Sequence, residues 1–181
     1  MTVTIDGTAG ITFPVTAGSA SAVQASSGRV LQVVQTVKTD TFSSSSSSFT
    51  DITGLSVSIT PSSASSKILV LSTTNLGGST AISQLNLRLV RGSTVIFAGD
   101  TAGSRQSGFF GIDASVFGDS AVLPQTIVYL DSPATTSSTT YKIQGRLDNA
   151  SAWYVNRASN DADASYRART ASSIIVMEIA A

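Results

Sequence analysis

The sequence predicts an all-β protein, an antiparallel sandwich whose leading form is an eight-stranded jelly roll with an extended N-terminal arm. Three observations carry that expectation. Short runs of alternating apolar and polar residues recur along the chain, and Gly, Ser, Pro, Asn and Asp separate them. No stretch holds a 3.6-residue period over three turns. Solubility rests on hydroxyls, 32 Ser and 22 Thr, because only 12% of residues are charged. Threonine favours strands and serine favours turns, so the bias points the same way. An immunoglobulin-like sandwich is the alternative topology.

Residues 1–28 read as a separate unit. Two β-like pieces, Val3 to Ile5 and Ile11 to Phe13, surround Gly7 and Gly10, and Pro14 leads into a small-residue stretch without a core face. Such a segment buries too little surface to fold alone. It is either a disordered leader or an arm that docks on a partner, and the arm is the expectation carried forward, with Ile5, Ile11, Phe13 and Pro14 as its contact residues.

Residues 29–181 are expected to form the sandwich. In residues 29–38, Leu31, Val33 and Gln35 share one face, and Val30, Gln32, Val34, Thr36 and Lys38 the other. In residues 55–60, Leu55, Val57 and Ile59 point inward and Ser56, Ser58 and Thr60 outward. Residues 67–73 are apolar on both faces, which suits a buried central strand. Leu85, Leu87 and Leu89 alternate with Asn86, Arg88 and Val90, and the turn at Arg91-Gly92 leads into a hairpin partner at residues 93–100. Residues 125–131, 140–147 and 173–180 complete eight strands. Residues 98–123 and 148–170 read as long excursions, where binding surfaces tend to lie. The serine run at residues 43–48 reads as a flexible connector.

Composition narrows the chemistry. The chain has no Cys and no His, hence no thiolate nucleophile, no Cys/His zinc site and no Ser-His-Asp triad. Its formal net charge is zero, so no basic field draws in phosphate backbones, and nucleic-acid binding is not expected. No apolar run approaches the ~20 residues of a membrane span, and no secretory signal is evident. Glu178 is the one Glu, and the Asp residues stand mostly beside turns, which does not suggest the paired carboxylates of glycan cleavage. No catalytic residue, cofactor or metal is expected. Asn160-Asp161-Ala162-Asp163 offers oxygen ligands but lacks the Gly and Glu of a full calcium loop.

Trp153, Tyr154, Asn156 and Arg157 form the candidate surface contact, since aromatic faces beside amide and guanidinium donors suit carbohydrate or protein. The alternative places the Trp153 ring in the core. Phe109-Phe110 is read as a plug for the end of the sandwich or a subunit contact. Arg167 and Arg169 are read as ion-pair partners of Asp161 or Asp163.

Residues 28–70 also carry a resemblance. The strand from Gly28 to Gln35 leads through a Thr/Ser-rich linker to Phe49-Thr50-Asp51-Ile52-Thr53-Gly54-Leu55. Ile59-Thr60-Pro61 and Ser65-Ser66-Lys67-Ile68-Leu69-Val70 follow. This resembles a module of tail-fibre and virion-appendage proteins of bacteriophages, particularly those of aquatic and cyanobacterial hosts. Thr140–Gln144 and the closing strand at residues 174–179 fit its end, and the leader at residues 4–18 is similar to pieces near the start of such fibres. The resemblance implies a β-sandwich head, usually a homotrimer, mounted on a virion. The expected protein is thus a passive structural component made in the host cytoplasm. It docks on other virion proteins through residues 1–28 and presents its head to the host surface, with a surface glycan as a candidate partner. A capsid decoration protein whose arm clamps the shell is the second expectation. A small carbohydrate-binding protein or glycan-active enzyme is the third.

Overall fold

The computed structural model describes residues 28–78, 84–113, 118–148 and 151–181, and the backbone of two short strands before them. Those two, β1 (Thr4–Asp6) and β2 (Gly10–Thr12), pair antiparallel with Ile5 opposite Ile11. Phe13 and Pro14 lie outside the described residues, as do the side chains of Ile5 and Ile11.

The remaining strands form two antiparallel sheets packed face to face. The first contains β3 (Val30–Lys38), β13 (Ser172–Ile179), β6 (Lys67–Gly77) and β10 (Val122–Asp131), side by side in that order. Two short strands, β4 (Phe42–Ser44) and β12 (Trp153–Val155), continue it beside the far end of β6. The second sheet runs β5 (Thr50–Ile59), β11 (Thr139–Leu147), β7 (Gln84–Arg91), and then β8 (Thr94–Phe97) and β9 (Phe110–Asp113) along the same edge of β7. With the short strands β4, β9 and β12 set aside, the outermost of β3 to β13 pair with each other and so on inward: β3 with β13, β5 with β11, β6 with β10, β7 with β8. That nesting is a long hairpin rolled into a sandwich, the jelly-roll arrangement. All eight expected strands are present.

Alternation explains the core. Leu55, Val57, Ile59, Leu85, Leu87, Leu89 and Ile143 of the second sheet face Ile68, Val70, Ile174 and Val176 of the first, all buried. Gly54, at a φ of +80°, sits where the register of β5 against β11 shifts, a bulge that turns Ile52 inward as well. Tyr141 spans the layers and donates to Asp131 Oδ2 at 2.7 Å, while Arg91 grips both oxygens of the same carboxylate.

Among the described residues, both long excursions carry a strand. In the first, residues 98–113 bring β9 along β7, and Phe109 and Phe110 pack against the core. Residues 148–170 contain β12. The serine run is no loose connector either. Ser43 and Ser44 belong to β4, and the Ser44 and Ser46 hydroxyls accept the N–H groups of Ser46 and Ser48. Short-range hydroxyl caps supply the order that composition alone did not suggest.

The fold has two unlike ends. Gly28 donates to the Ala180 carbonyl at 2.7 Å, so the residue that follows the arm and the closing strand leave together. The tight turn at residues 92–93 and the connections at residues 60–66 and 132–138 share that end. The described parts of the three longest connections, within residues 39–49, 98–121 and 148–171, gather at the opposite end.

Candidate functional site

Two surfaces stand out, one apolar and one polar. The apolar one is the outer face of the β3–β13–β6–β10 sheet. Register lines up Val33, Met177, Leu69 and Leu130 in one row across the four strands, and Gln35, Ile175, Leu71 and Val128 in the next. Val33, Val128 and Leu130 are 56%, 62% and 55% exposed, far from the usual fate of such side chains. Leu69, Leu71, Ile175 and Met177 are half-buried by their neighbours alone. Residues 67–73 were read as apolar on both faces and therefore buried. The structure covers only one of those faces among the described residues. Lys67 is the one charged outward residue of these four strands, and it sits at the rim, bonded to Ser132.

The polar surface is a groove on the outer face of the second sheet, at the end with the long connections. Two adjoining hollows of about 440 and 450 Å³ share Gln106 as a wall. The floor comes from outward residues of β7 and β11. Arg88 lies 4.0 Å over the Phe49 ring and Arg146 lies 5.9 Å from the same ring. Arg88 Nε donates to Gln144, whose amide donates to Asp51, and Lys142 holds the other Asp51 oxygen at 2.8 Å. Burial acts against the charge of Asp51, yet Lys142 and Gln144 outweigh it and leave its pKa below the ordinary value. Arg146 donates to Asp148 at 2.6 Å and to the Ser47 carbonyl. Asn86 lines the groove at 4% exposure, and its Nδ2 has no partner among the described residues.

Glycines hold the loop down on this floor. A Cβ on Gly108 would lie 2.5 Å from the Leu87 carbonyl oxygen, and one on Gly111 would lie 3.0 Å from Asn86 Oδ1. The close approach to backbone requires glycine at Gly108, whereas at Gly111 a Cβ would press on the Asn86 side chain.

The expected contact group around Trp153 takes a different form. Trp153 has no exposed surface. It packs 5.4 Å from Phe42 and directly against Gly145, because β12 is an internal strand between β4 and β6. Asn156 is equally buried, at a φ of +64°. Its Nδ2 donates to the carbonyls of Lys38 and Asp40, and its Oδ1 accepts from Ser172. Neither residue has surface to offer a ligand, so that part of the expectation is corrected. Tyr154 and Arg157 remain partly exposed, with the guanidinium 3.9 Å over the ring. Arg169 pairs with Asp161 at 2.7 Å inside the chain, and Arg167 donates to the Asp119 carbonyl and the Ser120 hydroxyl. Among the described residues no group of three or more His, Cys, Asp or Glu side chains is placed to hold a metal ion.

Sequence reasoning did not assemble the groove. Phe49, Arg88 and Arg146 stand on three separate segments, and only the register of β5, β11 and β7 brings them together. The available signal was the outward placement of Asn86 and Arg88 between Leu85, Leu87 and Leu89.

No protein-family model and no curated protein matches the chain.

Proposed function

We propose that the chain is a structural protein of a phage virion. It would be a short homotrimeric appendage that docks through its leading segment and presents the sandwich to the host surface, binding without turnover. The observation that carries this reading is the polarity of the fold. Gly28 and Ala180 meet at the end with the short connections, and the three longest connections crowd the opposite end. A body built this way can be held by one end while the other faces outward. The resemblance of residues 28–70 to phage appendage modules supports the reading, and the jelly-roll sandwich is the fold that resemblance implies.

The apolar face is assigned to two further copies of this chain, each turning the same face towards a common threefold axis. Four strands at about 4.8 Å spacing and about 20 Å of strand length give roughly 400 Å² of flat footprint. Three such faces cover about 1,200 Å² in all, at the lower end of what specific assemblies bury. The rows are free of charge, so the three faces meet along the axis without repulsion. Several weak contacts on one rigid assembly would then add through effective concentration.

Immunogold electron microscopy on particles of the encoding phage, with antibody against this chain, tests the reading. Label at tail tips or other projections is expected. Label spread evenly over the shell would favour the decoration protein instead, and unlabelled particles would refute the virion assignment.

A further inference from the structure

We infer that the groove across β7 and β11 binds an acidic saccharide, one that carries carboxylate groups. This deepens the attachment reading and rests on it for the class of partner, but the residues give the chemistry. The groove is open and lined mainly by amides, hydroxyls and guanidinium groups, with Phe110 as the one large apolar side chain in the first hollow. Planar polar donors of this kind match the paired hydroxyls of a sugar, and the Phe49 ring with Arg88 upon it gives the floor a flat, rigid platform.

Charge then selects among sugars. Among the described residues lining the groove, three arginines stand against one carboxylate, Asp148, which Arg146 already engages. The terminal amino groups of Arg88 and the whole Arg105 guanidinium have no partner among the described residues. Arg88 bonds only through Nε, which orients its free edge outward for a bidentate contact with a carboxylate. Burial lowers the Arg88 pKa, opposed by Asp51, and the guanidinium still carries its charge at any physiological pH.

The independent observation is Asn86. A buried amide donor without a partner is costly in a folded protein and calls for an explanation. Asn86 lines the first hollow together with Gly108 and Gly111, while its Nδ2 atom itself lies buried beneath the lining. A turn of the amide towards the hollow would let a ligand hydroxyl or carboxylate oxygen satisfy it. Nucleic acid fits less well, because the chain carries no net positive charge beyond this groove to follow a phosphate backbone.

Isothermal titration calorimetry with tetragalacturonate, and with maltotetraose as the uncharged control, tests the inference on the intact protein. The acidic sugar is expected to bind, with affinity that falls as salt rises, and the neutral sugar to bind at least about tenfold more weakly. Arg88→Gln should weaken the acidic sugar by about tenfold or more through loss of a charge-assisted contact. Gln106→Glu, at an exposed loop position that cannot unsettle the core, should weaken it as well. Circular dichroism and melting confirm that both variants remain folded. Absence of tetragalacturonate binding, equal binding of the two sugars, or affinity unchanged in both variants overturns the inference. Labelled particles together with no sugar binding would remove the groove site and leave the virion reading standing. Sugar binding by a protein absent from particles would do the reverse.

Discussion

Tyr141 and Asp131 join the two layers of the sandwich, with the phenol donating to the carboxylate at 2.7 Å across the gap between the sheets. Burial raises the Tyr141 pKa, and the neighbouring Asp131 charge raises it further, so the phenol stays protonated and remains a donor. Tyr141→Phe keeps the ring and leaves Asp131 its two bonds from Arg91. It is expected to cost about 1–2 kcal/mol in urea unfolding. Asp131→Ala strands both the phenol and the guanidinium and is expected to cost about 3 kcal/mol. Equal losses for the two variants would contradict the shared-carboxylate account.

Asn156 fastens the long-connection end. Its side chain bridges the Lys38 and Asp40 carbonyls to the Ser172 hydroxyl, and its own N–H donates to the Asn75 carbonyl. Asn156→Ala leaves these buried groups unpaired and keeps a non-glycine residue at positive φ. A loss of about 3–5 kcal/mol is expected. Asn156→Gly loses the same bonds but relieves the backbone, and should be about 1 kcal/mol more stable than the alanine variant. The reverse ranking in denaturant titrations would show that backbone conformation contributes nothing here.

Glu178 makes stability depend on acid. Burial opposes its charge, but the Ser62 hydroxyl and N–H, the Gln32 amide and Ser66 outweigh that, and the pKa falls from 4.5 to about 2. A carboxyl that holds its proton less tightly when folded stabilises the fold above pH 4.5. That contribution is lost as the pH falls from about 4.5 to about 2. The urea midpoint of the wild type is expected to drop through this window. Asp40 and Asp51, whose pKa values are also lowered, act in the same direction. The diagnostic quantity is therefore the difference between wild type and Glu178→Gln, which should be large at pH 6 and close to zero at pH 2. A difference independent of pH would contradict this role.

Much of the fold was legible because one side of a strand meets the core and the other meets water. Residues 55–60 show it plainly: Leu55, Val57 and Ile59 are buried, while Ser56, Ser58 and Thr60 are exposed. The pattern blurs where that contrast fails. β4 and β12 are three residues long, too short for any period to register, so the sequence leaves Trp153 open between a surface contact and the core, and cross-strand pairing turns it inward. β6 is apolar on both sides, and alternation cannot say which of its faces lies open. The groove was illegible for another reason. Its chemistry belongs to no single segment, and it arises only when the register of β11 sets Arg146 and Gln144 beside Asn86 and Arg88 on β7.

The open face of the β3–β13–β6–β10 sheet is expected to meet its own copies. Sedimentation of the wild-type chain and of the Val33→Glu/Val128→Glu double variant, both at micromolar concentration, tests this most directly. The wild type should sediment as three chains and the variant as one, with an unchanged circular-dichroism spectrum, because both substituted side chains are more than half exposed in the single chain. A wild type that sediments as a single chain, or a double variant that still assembles, would contradict it.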